Sequence, residues 1–299
     1  MLMNFKGVIP AIVLGSLAWI GCGHLAAQQR DDVEKAEKHK ELLWIPPNVT
    51  AALPSLSATP ACSLSEVLQE ASRHAAEMTS NLETFAAEEQ IDYRKWDHSG
   101  FPEDNDSSAF DYVFGFEQTS GGRSSREYRT PAKGGHFFPA SSQDTGLVAL
   151  ALIFLPSMQT EYDMNCEGLD KWKGQFAWVV RFQQRKDKPR RTMQFRTSGG
   201  VYEAMLRGRA WISMDNGQVL HLEASLMNDI PALNLRSGAI SVDYAPVEIQ
   251  SRKIELWLPE RVEAYWEIAN RRLALYHTFS NFKLFTVETE DTVKKPKQP

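Results

Sequence analysis

Between residues 175 and 288 apolar and polar side chains alternate in one short run after another, and a period of two marks strands that bury one face. Phe176, Trp178, Val180 and Phe182 share one parity, as do Ala210, Ile212 and Met214, then Leu220, Leu222, Ala224 and Leu226, then Ile254, Leu256 and Leu258. Between the second and third runs stands Asp215-Asn216-Gly217-Gln218, where Asn-Gly supplies the positive φ that a two-residue hairpin turn requires. The pattern predicts a large curved antiparallel sheet. No internal repeat of about 20 to 50 residues is present, which excludes solenoids and propellers.

Upstream of this region the periodicity changes. Ser63 and Glu66 have capping-box spacing, and Leu64, Val67, Leu68, Ala71, Ala75 and Met78 recur on one helical face, so an amphipathic helix is predicted over 65–79. Residues 85–93 have strand character. Phe110, Tyr112, Phe114 and Phe116 then alternate with Asp111, Val113, Gly115 and Glu117, and Gly121-Gly122 bends the chain into a further strand over 124–129. Residues 146–155 are apolar around the whole circumference, with Asp144 as a cap and Pro156 as a stop. This predicts a short buried helix, either a plain core element or the cover of a ligand, and one too short to span a bilayer. Over 271–288 the parity of Leu273, Leu275 and Phe279 gives way to that of Phe282 and Leu284, so a bulge or kink is expected at Ser280-Asn281.

The ends of the chain read differently. Lys6, an apolar run over 7–20 and Leu25-Ala26-Ala27 form an export signal over 1–27, cleaved after Ala27. Two alternatives are an uncleaved anchor and a lipid-modified Cys22, since Ile20-Gly21-Cys22 is similar to the end of a bacterial lipobox. Export places the chain in the periplasm or at the outer membrane. Residues 28–61, with mixed charge followed by Pro46-Pro47, Pro54 and Pro60, read as a disordered linker; a β domain is expected over 62–289 and a disordered tail over 290–299. Removal of the signal leaves Cys62 and Cys166. In an oxidising compartment they are expected to form a disulfide closing a loop of about 105 residues, two buried thiols being the alternative.

Few residues point to chemistry. A formal net charge of -5 gives no bias toward polyanions, so nucleic acid is excluded as a partner. No Gly-x-Ser-x-Gly elbow occurs. His221-Leu222-Glu223 lacks the Pro-Cys-x-x-Cys of a zinc deaminase and reads as an exposed polar pair on the outer side of a strand. His98, Glu103, Asp104, Asp106 and Asp111 read as a solvated acidic loop without EF-hand spacing. The expectation is a protein without catalytic residues, metal or cofactor. Arg185, Lys186, Lys188, Arg190 and Arg191 surround Pro189 in a turn, and are either a soluble hairpin tip or a contact with a membrane surface or an envelope protein.

An export signal, a spacer, one amphipathic helix and then Phe85-Ala86-Ala87 entering a long meander resemble the lipoprotein-localisation carrier superfamily, the LolA-like fold. The resemblance covers residues 63–288. Its best pieces are the strand over 85–93, the hairpin Gly208-Arg209-Ala210-Trp211-Ile212 with Asn216-Gly217-Gln218-Val219, and Leu256-Trp257-Leu258-Pro259. The family's acyl-hook and retention residues match no position here. The resemblance implies a mainly β fold with a few helices, an incomplete antiparallel barrel with the helices as a lid, around an apolar cavity for acyl chains. Phe114, Phe116, Leu150, Phe154, Trp178, Phe182 and Trp211 are the candidates to line it. A lipid, acyl chain or other apolar ligand would gain about 0.8 kcal/mol per buried CH₂ and needs no special polar chemistry, which is why such a site leaves little trace in sequence. The alternative is a structural or interaction module of the envelope, with an interior filled by its own aromatics and a protein partner outside. The volume of the interior separates the two.

Overall fold

The structure is a computed structural model that describes residues 44–81, 84–119, 122–138, 143–189, 192–197, 199–249 and 253–285. The expected export signal with Cys22, residues 28–43 of the expected linker, Arg190, Arg191 and the expected tail lie outside the described residues.

The strands are β1 (Thr84–Trp96), β2 (Pro102–Thr119), β3 (Gly122–Pro131), β4 (Gln143–Thr145), β5 (Tyr162–Trp172), β6 (Gln175–Gln184), β7 (Met193–Thr197), β8 (Gly200–Ala204), β9 (Leu206–Ser213), β10 (Val219–Leu226), β11 (Leu235–Ile249), β12 (Ile254–Ile268) and β13 (Arg271–Phe285). Ten of them form one sheet in the order β3-β2-β1-β13-β12-β11-β10-β9-β6-β5, every pair antiparallel. Its first and last strands are edges, so the curved sheet stays open, as the expected mainly β fold with a few helices requires. The alternating region is not a single meander, however. β7 and β8 leave it to join β4 in a three-stranded sheet, and β6 pairs directly with β9.

Local expectations hold with instructive exceptions. The kink in β13 is present: Asn281 has φ 53, and the register with β1 shifts between Ala86 and Glu88, opposite Lys283 and Ser280. The β9–β10 turn is longer than two residues. Ser213 N–H bonds to the Gln218 carbonyl at 2.8 Å, leaving residues 214–217 as the loop, and of these only Gly217 has positive φ, at 71°. The expected acidic loop is strand instead: Glu103 to Asp106 extend β2, where Glu103 pairs with Lys95 at 3.2 Å and Arg271 at 2.9 Å, and Asp106 with His136 at 2.6 Å.

Helix α1 (Leu64–Asn81) buries Val67, Ala71 and Ala75 on the sheet's inner face, while Arg73 bridges Glu70 (2.9 Å) and Glu77 (2.8 Å) on its exposed side. Beside it lies a 3-10 helix over Val148–Phe154, then α2 (Pro156–Gln159) with Pro156 in its first turn. The expected cap Asp144 is not at the start of this helix. It pairs in β4 with Phe195, and Leu147 is the cap, with no side-chain bond. Gly146 makes the corner between them: its φ is +105°, and a Cβ there would lie 2.0 Å from the Thr192 carbonyl oxygen.

The sheet's outer face is covered too. Residues 44–61, expected to be mobile, run along it. Trp44 packs with Trp96, Ala239, Tyr265 and Ala274 and donates from Nε1 to the Leu273 carbonyl at 3.3 Å. Leu53 and Leu56 cover Ala177, Val179, Trp211 and Leu220, and Ser57 bridges to Leu169 of β5. The segment ends at the Cys62–Cys166 disulfide, which ties the start of α1 to β5 across a Cα–Cα distance of 6.3 Å.

Candidate functional site: the seam beneath helix α1

Strand parity aims Phe114 and Phe182 at the inner face, the 3-10 helix brings Leu150 and Phe154 to it, and all four are fully buried there; Phe116 and Trp178 pack partly buried against the same core. Their neighbours are one another and other aromatics: Phe85 stacks on Phe114 with ring centroids 5.2 Å apart, Phe114 meets Phe116 at 5.2 Å, and Tyr162 meets Phe182 at 5.9 Å. These side chains fill the interior instead of lining a hollow. Trp211 is not with them. It faces the outer side, against Trp172 (5.5 Å), because it has the opposite parity to Ala210 and Ile212.

A pocket of about 50 Å³ lies under the C-terminal half of α1. Its floor is Ala71, Ala75, Met78, Ala151, Val219, Leu256 and Trp257, and its rim is His74, Glu77, Gln218 and Glu255. It exists because alanines on α1 meet Ala151, and methyl groups do not fill the gap between a helix and a sheet. The volume admits a few water molecules, whereas sites for small-molecule ligands hold on the order of 300 Å³ or more. Tyr244 closes the deep side, its hydroxyl accepting from the Ala151 N–H at 3.1 Å; burial pushes its phenol well above the usual range.

A polar clasp holds α1 along the rim. The His74 ring meets the Asn216 carbonyl through Nε2 at 2.6 Å, and its Nδ1 lies 2.8 Å from Gln218 Nε2 and 3.0 Å from the Glu77 carboxylate. Gly217 permits this approach, for an added Cβ would lie 2.6 Å from Glu70 Cβ.

Within the apolar interior sits a buried ionic cluster that the sequence reading missed. Arg129 of β3 donates to Glu89 of β1 at 2.7 and 3.0 Å and to Glu127 at 3.4 Å, and the His277 ring of β13 meets Glu89 at 2.7 Å. Burial works to raise the Glu89 carboxyl, but Arg129 and His277 overcome it and hold the group at about 2. Glu127 goes the other way: burial raises it against the opposing pull of Arg129 and of the Gly146 N–H. That N–H donates to Glu127 Oε1 at 2.8 Å, so the cluster anchors the corner that leads into the 3-10 helix. The missed signal was parity, since Glu89 falls in phase with Phe85, Ala87 and Ile91, and His277 with Leu273, Leu275 and Phe279.

The remaining candidates resolve simply. His221 is buried, not exposed: it stacks on Trp172 at 3.6 Å and bonds Asp243 at 2.7 Å. Burial opposes its protonation, but Asp243 and Glu223 outweigh that and raise it. Arg185 pairs with Asp187 at 3.1 Å in an exposed turn with Lys186 and Lys188, at the opposite end of β6 from Gln175. Among the described residues no three His, Cys, Asp or Glu side chains cluster as metal ligands, and no helix is long and apolar enough to cross a membrane.

No family model matches the chain, and no curated protein matches it in sequence. Among solved structures it is similar to a DUF1329 family protein from Desulfovibrio piger, at 10% identity over 75% of this chain and 94% of that one, with a TM-score of 0.41. A LolA superfamily protein from Nitrosomonas europaea is 12% identical over 76% and 96% of the two chains, TM-score 0.35. A domain named for outer-membrane lipoprotein sorting, from Vibrio parahaemolyticus, is 13% identical over 76% and 96%, TM-score 0.41. These are likenesses of outline, and they assign no ligand to this chain. The open curved antiparallel sheet with its few helices is the architecture that the sequence resemblance implies.

Proposed function

We propose that this chain is a non-catalytic exported envelope protein that takes a lipid, an acyl chain or another apolar ligand at the seam beneath α1, and that the structure is its closed form. One observation carries the reading: beneath α1 there is a pocket of about 50 Å³ where alanines and a hydrogen-bonded clasp, not large side chains, stand between the helix and the sheet. A chain-like ligand enters when α1 parts from β10 and β12, with the Cys62–Cys166 bond keeping its first turn in place. The side chains on offer to the ligand are then the seam's own, together with Leu150 and Phe154 behind them. The turn of Arg185, Lys186 and Lys188, with Arg190 and Arg191, is the proposed contact with an anionic membrane surface or a partner protein.

Native mass spectrometry of protein purified from its own host tests this, together with uptake of a fluorescent fatty acid and of a fluorescent alkylamine. Retained lipid, or uptake of either probe that Ala75→Leu blocks by filling the seam, is the expected result. No retained lipid and no uptake of either probe would leave the second reading, an interaction module, which the close packing of Phe85, Phe114 and Phe182 favours. N-terminal sequencing of the mature chain decides between cleavage after Ala27 and an anchor at Cys22.

A further inference from the structure

We propose that the rim of the ten-stranded sheet that carries Trp44 and Phe101 rests on a phospholipid bilayer, which its apolar side chains enter; this goes beyond the reading above and holds whether or not the seam takes a ligand. One line of register partners crosses the sheet from Gln183 of β6 through Arg207, Ser225, Ala239, Tyr265 and Ala274 to Arg94 of β1. Just beyond that line, on one rim, lie the turn of Arg185 to Lys188, the β1–β2 turn over 97–101 and Trp44, which donates to the Leu273 carbonyl. The seam is at the other end: Leu256 of its floor precedes Tyr265 by nine residues along β12, roughly 30 Å at about 3.4 Å per residue.

A single exposed apolar residue needs no explanation, but this rim gathers two of them around one point. Phe101 is 69% exposed, the most of any large apolar side chain among the described residues, and Ile45 is 51% exposed. Phe101 is held out by a built turn, in which the Asp97 carboxylate accepts from the N–H groups of Ser99 and Phe101 at 2.8 and 2.9 Å and the Asp97 N–H donates to the Phe101 carbonyl at 2.9 Å. Arg272 links the two places: its guanidinium sits 5.1 Å over the Trp44 ring, and its Nη1 is 3.4 Å from a Cβ built at Gly100. Trp and Arg, each an apolar body with a polar tip, suit the headgroup boundary. Arg185 pairs with Asp187, Arg236 with Glu267 and Arg271 with Glu103, so charge on the rim is largely matched and insertion of Phe101 and Ile45 carries the contact. Residues 1–43, with Cys22, join the described chain at Trp44; a tether through them brings this rim to a bilayer first and raises its local concentration there. Phe176 and Met214, 48% and 47% exposed, lie on the seam rim and give the control.

The test uses the exported chain with Cys22→Ser, which excludes a lipid on that residue, and a polarity-sensitive fluorophore attached through Ser99→Cys beside Phe101 or through Asp215→Cys at the seam rim. Titration with phosphatidylcholine vesicles, with and without phosphatidylglycerol, should brighten the first label and leave the second unchanged. Binding should change little at about 1 M salt, where the Debye length falls to about 3 Å. Phe101→Ser, which leaves the Asp97 turn bonds in place, should weaken binding about tenfold, Ile45→Ser less, and Phe176→Ser not at all. No vesicle binding, unchanged affinity in Phe101→Ser, or brightening of the label at 215 instead of 99 overturns the proposal, the last by turning the seam toward the bilayer. Binding that is lost in Lys186→Glu with Lys188→Glu but kept in Phe101→Ser also overturns it and assigns the contact to the basic turn alone. Failure of probe uptake at the seam leaves each of these outcomes as it stands.

Discussion

Helix α1 and the 3-10 segment Val148–Phe154 cover the same inner face, yet they are held in different ways. The 3-10 segment brings Leu150, Ile153 and Phe154, each with no exposed surface, and its approach through Gly146 is pinned by Glu127. Helix α1 brings the buried Val67, Ala71 and Ala75 and only partly buried Leu64, Leu68 and Met78, together with the His74 clasp and one disulfide at its start. At about 25 cal/mol per Å² of apolar surface removed from water, a buried Phe or Leu contributes several times what a buried Ala does. The first segment is thus part of the core, and the second is a cover. The difference teaches where such a sheet can open: along the side whose contacts are smaller, partly exposed or polar.

The largest expected effect tests the core half of that contrast. Phe154→Ala should cost about 3–5 kcal/mol of unfolding free energy in urea titrations, from lost transfer energy and the cavity left behind. A cost below about 1 kcal/mol would show the 3-10 segment to be as loosely held as α1 and would break the comparison. Cys62→Ala should come next, at roughly 2–5 kcal/mol for a bond that closes a long loop. It should also speed ligand uptake, because it frees the anchored end of the cover.

The ionic cluster beneath the 3-10 segment gives a pH signature. The Glu89 carboxyl falls from 4.5 to about 2 on folding, so the stability it contributes is present above about pH 4.5 and is lost as pH falls toward 2. By linkage the loss amounts to roughly 3 kcal/mol. Glu127 is shifted upward, so its contribution is present below its unfolded value and is lost as pH rises through its folded one, the opposite sense to Glu89. Glu89→Gln should lower stability at neutral pH and flatten the decline between about pH 4.5 and 2, read as the urea midpoint against pH. An unchanged acid limb would remove Glu89 from this role. The smallest effect is expected at the clasp. His74→Ala should cost only about 0.5–1.5 kcal/mol, a typical net hydrogen bond, while raising the rate of probe uptake severalfold in stopped-flow fluorescence. A large loss of stability with no change in uptake would reverse the assignment of α1 as the cover.

What the sequence by itself determined is what nearby residues decide. Alternation places Phe176 to Phe182 and Leu220 to Leu226 in strands, helical spacing places α1, a parity shift places the kink at Asn281, and the cysteine count pairs Cys62 with Cys166. Only the tertiary structure decided which elements meet. His277 finds Glu89 across a separation of 188 residues, His221 slides between Trp172 and Trp211 although its neighbours in sequence are those of an exposed face, and Trp44 to Ser57 settle on the outer sheet despite a linker's composition. Whether the interior is a chamber or a packed core also lay beyond the sequence. Periodicity states which way a side chain points, whereas the space left over is a small difference between the volume that the backbone encloses and the summed volumes of all the side chains within it.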